Sequence, residues 1–175
     1  MMFIFALATP LLTQPASPRP DHFAMAMPAG FVVGNKQSAQ NGAIEERVPK
    51  GETVDAWSRM ITIITLNAPI NARSYAANFV ATVANACPGT HAGSPVAVTV
   101  GGHEALDDRM DCPRNPQTGK PETFFFRVLS AGGRLQMVQV AFRHVPSPAE
   151  EEWAKAQIAG AVLCGADSTD ALCAA

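Results

Sequence analysis

The stretch CPRNPQTGKPE, Cys112 to Glu122, carries the most motif-like letters of the chain, Thr-Gly-Lys among them. A phosphate loop needs GxxxxGK[ST], a glycine-rich arc between a strand and a helix whose amides cradle the phosphates. Here Arg114 stands where the first glycine belongs, Pro121 follows the lysine, and the residues beyond read as a strand. Asn115-Pro116 and Thr118-Gly119-Lys120-Pro121 are turn sequences instead. The stretch is therefore expected to be a loop fastened at Cys112.

Metal chemistry finds little support. His22, His91, His103 and His144 are scattered, with neither HExxH nor the paired cysteines of a zinc site. The candidates for a hard cation are Asp107, Asp108 and Asp111, close to His103 and Glu104. Their segment lacks the spacing of a calcium loop, and Arg109 and Arg114 offset its charge. The expectation is a solvated polar connection from His103 to Arg114, with a short extended piece near Met110, and no metal. No other cofactor is called for.

Covalent catalysis fares no better. There is no GxSxG elbow, and Gly93-Ser94-Pro95 lacks its pattern. Cys87 with His91 would need an exposed thiol of lowered pKa. Cys87, however, continues an apolar helical stripe and stands at a helix C-terminus, where the dipole disfavours a thiolate. Glu45 and Glu46 point to opposite faces of a short strand, which leaves either to find Glu52 or Asp55 as a partner. No catalytic residue is assigned.

A binding site is easier to compose. Arg127 shares a strand face with Phe125 and Leu129, so it must emerge at an edge or meet a carboxylate such as Glu45 or Glu46. Arg59 stands near Trp57 in sequence. A pocket formed by Trp57, Arg59, Phe125 and Arg127 would suit an acidic or amphipathic ligand. The competing reading is a structural ion pair for Arg127 and core packing for Trp57 and Trp153.

These side chains must be carried by regular elements. Asn71 to Cys87 has Tyr75, Phe79, Val83 and Cys87 at four-residue steps, one helical stripe, with Asn71 as cap and Pro88-Gly89 as stop. SPAEEEWAKAQIAGAVLC opens with a capping box, Ser147 and Glu150, and Pro148 at the first helical position. Ala154, Ile158 and Val162 continue its stripe, so a helix running to Cys164 is expected.

Strands are expected at 31–35, 43–49, 60–66 and 95–100. A hairpin, 123–130 with 135–144, turns around Gly132-Gly133. In TFFFRVL, Phe124, Phe126 and Val128 face one way and Phe125 and Leu129 the other, which marks a central strand. HFAMAMPAG, 22–30, reads as an approach segment. The sum is an α+β fold: a mostly antiparallel central sheet of five to seven strands flanked by two helices, an α/β/α sandwich.

At 175 residues the chain suits one domain, 29–166, with a C-terminal tail at 167–175. Its 13 basic residues run from Arg19 to Lys155 without clustering, against a net charge of -2, which argues against nucleic acid. No apolar run reaches the length of a membrane span. Residues 1–28 are the candidate signal peptide and flexible lead, apolar from Met1 to Ala8, with a cleavage point near Ala16 but no basic residue before Arg19. Four cysteines, Cys87, Cys112, Cys164 and Cys173, without CxxC, fit a disulfide framework in an oxidising compartment, hence a periplasmic or secreted protein. They allow three complete pairings, and spacing does not choose among them. A Cys87–Cys112 bond would stabilise by about 3 kcal/mol in the chain-entropy account, and Cys173 would join Cys164 or stay free.

The Tyr75–Cys87 helix, the TFFFRV…LQMVQVAF hairpin and the SPAEEEW helix, in that order, resemble the α/β/α sandwich of PsbP-like exported accessory proteins. The GETxxxW…CP…W…C layout resembles uncharacterised small secreted proteins of Gram-negative bacteria. The likeness spans about residues 30 to 165 and carries over no functional residue. It implies an accessory or binding role, with an envelope protein or a small molecule as partner. The expected function is thus an exported, non-enzymatic accessory or binding protein; the alternative is a small cell-envelope hydrolase.

Overall fold

The computed structural model describes residues 20–166 and 168–174. The candidate signal peptide lies outside the described residues as far as residue 19. In chain order the elements are β1 (His22–Ala24), β2 (Phe31–Ala39), β3 (Gly42–Pro49), β4 (Arg59–Leu66) and α1 (Ala72–Ala86). There follow β5 (His91–Ala92), β6 (Val96–Val100), β7 (His103–Cys112), β8 (Glu122–Ala131) and β9 (Arg134–Phe142). The chain closes with α2 (Pro148–Ala159), β10 (Val162–Cys164) and a 3-10 turn at Ala171–Cys173.

Eight strands form one antiparallel sheet in the order β2-β3-β4-β9-β8-β7, with β5 and β6 both along the outer edge of β7. The TFFFRVL segment is central, as its two apolar faces require. Phe126 and Val128 join Leu106, Met110, Leu135 and Met137 under α1, where Phe79 meets the Phe126 ring edge-on at 5.2 Å. Phe125 and Leu129 join Ile61, Val138, Val140 and Phe142 under Ala154 and Ile158 of α2. The helices thus cover opposite faces, and the α+β sandwich is the observed architecture.

Local signals act as read. The Asn71 side chain accepts from the Ser74 amide at 3.0 Å and opens α1. Ser147 and Glu150 exchange both capping hydrogen bonds, and Pro148 begins α2. The β8–β9 turn runs through Gly132 and Gly133 at φ 56° and 72°, the two positive values that a tight hairpin turn demands.

Four expectations need correction. The polar connection at 103–114 is a ten-residue strand, β7, paired on both sides. Its charges misled because they are neutralised across the ladder and by α2, so polarity did not signal solvent. The second helix ends at Ala159: the Gly160 amide caps onto Ala156, and Val162–Cys164 is extended. That segment pairs with His22–Ala24, so the approach segment itself holds a strand, with Phe23 and Met25 buried in the α2-side core. The strand at 31–35 continues to Ala39, with an irregular register between Val33 and Asn35.

Candidate functional site

The four residues composed above into a binding site do not converge. Arg59, Phe125 and Arg127 lie on the α2 face, whereas Trp57 packs with Val48, Met60 and Ala141 on the other. Trp57 is covered by the Arg143 guanidinium at 4.0 Å, and Arg59 stacks over Phe31 and Trp153 at 5.8 and 5.4 Å. Register sets Arg59 against Phe142 and Phe142 against Thr123. Arg127 is four residues further along, roughly 13 Å at the strand rise and two strand spacings away.

Arg127 is 7% exposed, a burial that a guanidinium tolerates only when it is paired. Its Nε and Nη2 donate to Oδ1 and Oδ2 of Asp107, both at 2.7 Å, and Nη1 donates to the Ile158 carbonyl at 3.0 Å. The partner is therefore Asp107, not Glu45 or Glu46. Glu45 accepts from Lys36 and Arg47 at 2.7 Å each, and Glu46 from Asn35 at 2.8 Å. Burial pushes the Glu45 carboxyl up, yet the hydrogen bonds and charges of Lys36 and Arg47 outweigh it and its pKa is lowered.

The β7 aspartates are divided rather than pooled. Asp111 accepts from Arg109 at 2.8 and 3.0 Å and from the Thr123 hydroxyl at 2.7 Å. Arg109 also reaches Glu151 of α2 at 2.9 Å and lies 5.1 Å from the centre of the Phe125 ring. Asp108 alternates to the α1 face, where its carboxyl accepts from the Arg109 amide at 2.7 Å. Burial raises the Asp108 pKa against that hydrogen bond. Among the described residues no three His, Cys, Asp or Glu side chains are grouped to hold a metal ion. What these charges do is bolt α2 to the outer half of the sheet.

The cysteines form Cys87–Cys112 and Cys164–Cys173 bonds. The first ties the end of α1 to the end of β7, with both residues buried, so Cys87 faces no substrate. Beyond it the CPRNPQTGKPE stretch is a loop: Asn115 exchanges backbone hydrogen bonds with Gly119 and Lys120, and its side chain donates to Glu122 at 2.9 Å. The second bond closes a tail loop of sequence separation 9 onto β10.

That loop walls a cleft of about 730 Å³ at the C-terminal end of α2, within the range of small-ligand sites. The β6–β7 turn from Thr99 to His103 forms one side, and Ala159 to Leu163 with Arg127 form the floor. Gly165, Ala166, Ser168, Thr169 and Asp170 close the far side, and Asp21 lies at the rim. The Asp21 carboxylate is set directly against two glycine backbones. A Cβ on Gly165 would stand 2.6 Å from its Oδ1, and a Cβ on Gly132 would strike Oδ2. Sequence reading missed Asp21 and Asp170. The available signal was the polar GADSTD run between two cysteines, but its position beside residues 99–103 depends on long-range pairing. Within the cleft no hydrogen bond joins His103 to a hydroxyl among the described residues, and the Ser168 hydroxyl donates to Cys173 Sγ at 3.0 Å. The lining can hold a ligand by charge and hydrogen bonds.

No known family's sequence model matches the chain, and no curated protein matches it by sequence. Solved structures do resemble it. CyanoP, the cyanobacterial PsbP of Synechocystis, is 14% identical over 85% of this chain and 93% of its own, with a TM-score of 0.50. The Ran-binding protein Mog1p of Saccharomyces cerevisiae is 13% identical over 78% of both chains, TM-score 0.48. LpqN of Mycobacterium tuberculosis, involved in cell envelope biogenesis, is 14% identical over 86% of both, TM-score 0.46. The likeness to CyanoP makes this a PsbP-like fold; it speaks for architecture and not for activity.

Proposed function

We propose that this chain is an exported, non-enzymatic binding protein that takes a small ligand in the cleft at the end of α2. The observation that carries the reading is the cleft itself. It is of small-molecule size, and one wall is a loop held by a disulfide of its own. The arginine at its floor is already neutralised by Asp107, so the site is built for holding a ligand with its outer groups. Both disulfides support residence in an oxidising compartment such as the periplasm. The resemblance to PsbP-like proteins fits an accessory role there.

Native mass spectrometry of the protein recovered from the envelope fraction, with thiols alkylated at lysis, tests this reading. The expected result is two intact disulfides and a small-molecule adduct that denaturation removes. Four alkylated thiols would contradict export, and turnover of an ester or amide substrate would favour a cell-envelope hydrolase.

A further inference from the structure

We infer that the ligand of the α2 cleft is a small organic cation carrying a primary or secondary ammonium group. The inference rests on the reading of this cleft as the binding site and adds the ligand's charge. Three sources of negative potential meet there. Asp21 presents a carboxylate at the rim with no hydrogen bond to its side chain among the described residues, held against Gly132 and Gly165. Asp170 uses Oδ1 to accept from the Leu172 amide at 2.8 Å, which leaves Oδ2 for a ligand. Ala159 and Ala161 place the C-terminal end of α2, the negative pole of its dipole, in the floor.

The positive charge present does not cancel these. Arg127 is forked onto Asp107, so its charge is met before a ligand arrives, and its third donor takes one carbonyl, that of Ile158, from the end of α2. The last turn of α2 carries no basic residue of its own. Apolar contact is also provided, by Val100, Val162 and Leu163, which suits the carbon skeleton of an amine. An anion would meet two carboxylates and a helix C-terminus; a neutral polyol would leave both carboxylates without a counter-charge.

Isothermal titration of the oxidised chain with putrescine, spermidine and glucosamine, set against glycerol, glucose and citrate, tests the inference. The amines are expected to bind, and more weakly as ionic strength rises. Asp21→Asn and Asp170→Asn, which keep shape and cap while removing charge, are each expected to weaken amine binding by roughly three- to tenfold. Unchanged circular dichroism and melting temperature would show that both variants fold. Amine binding that ignores both substitutions, or cleft binding by polyol or citrate without amine binding, would overturn the inference while leaving the cleft as the site. Absence of any ligand from the cleft would overturn the inference together with the reading beneath it.

Discussion

Arg127 and Asp107 face each other across the β7–β8 ladder and share two parallel hydrogen bonds of 2.7 Å. The fork explains how a guanidinium enters a strand face otherwise filled by Phe125 and Leu129. It also holds α2, because the third donor caps the Ile158 carbonyl. Arg127→Met strands a partly buried carboxylate and should cost about 2–4 kcal/mol. Adding Asp107→Leu removes the stranded charge and should restore most of that loss. Urea midpoints of the three variants measure both effects; a double variant as weak as the single would refute the pairing argument.

The two disulfides should separate by what their loss releases. Cys87→Ala with Cys112→Ala opens the longer loop and should cost about 3 kcal/mol. Cys164→Ala with Cys173→Ala should cost about 2.5 kcal/mol in the same account. Amide hydrogen exchange distinguishes them further. The second pair should raise exchange at 165–166 and 168–174 and leave β8 and β9 protected; the first should loosen the last turn of α1.

Acid sensitivity should follow the capping box. The Ser147 amide, its hydroxyl and His144 hold the Glu150 pKa below the ordinary carboxylate range. A group depressed in this way stabilises the fold above its ordinary value and loses that contribution as pH falls through the folded one. Ser147→Ala should therefore cost about 1 kcal/mol at neutral pH and less once pH falls below the ordinary carboxylate range, read from melting temperatures across the range.

Asp108 should behave in the opposite sense. Burial raises its pKa, so its charge opposes folding at neutral pH and protonation relieves the opposition. Asp108→Asn can still accept from the Arg109 amide, and should melt at the same or a higher temperature than the parent at pH 7. The gap should close as pH falls through the raised pKa. A variant clearly less stable at pH 7 would refute this.

Sequence made legible whatever was encoded within a few residues. Phe124, Phe125 and Phe126 alternate and announce a strand covered on both faces; Asn71, Ser147 and Glu150 announce helix starts by side chains that reach neighbouring amides. β7 escaped because Asp107, Arg109 and Asp111 look solvated until Arg127, Glu151 and Thr123 stand opposite them. Val162 fitted the period of α2, and only its pairing with Ala24, far off in sequence, shows that it is extended. The cleft was the least legible part. Asp21, His103, Arg127 and Asp170 come from segments brought together by the sheet and by the Cys164–Cys173 bond.

The account depends most on the cleft being the place where this protein binds, and chemical-shift mapping tests that directly. Isotope-labelled oxidised protein would be titrated with small-molecule extract from the envelope of its producing cells, beside His103→Trp, which fills the cleft from an exposed position. The account predicts shifts confined to residues 99–103, 159–166 and 168–170, abolished by the tryptophan. Shifts elsewhere on the sheet that survive the tryptophan would contradict it.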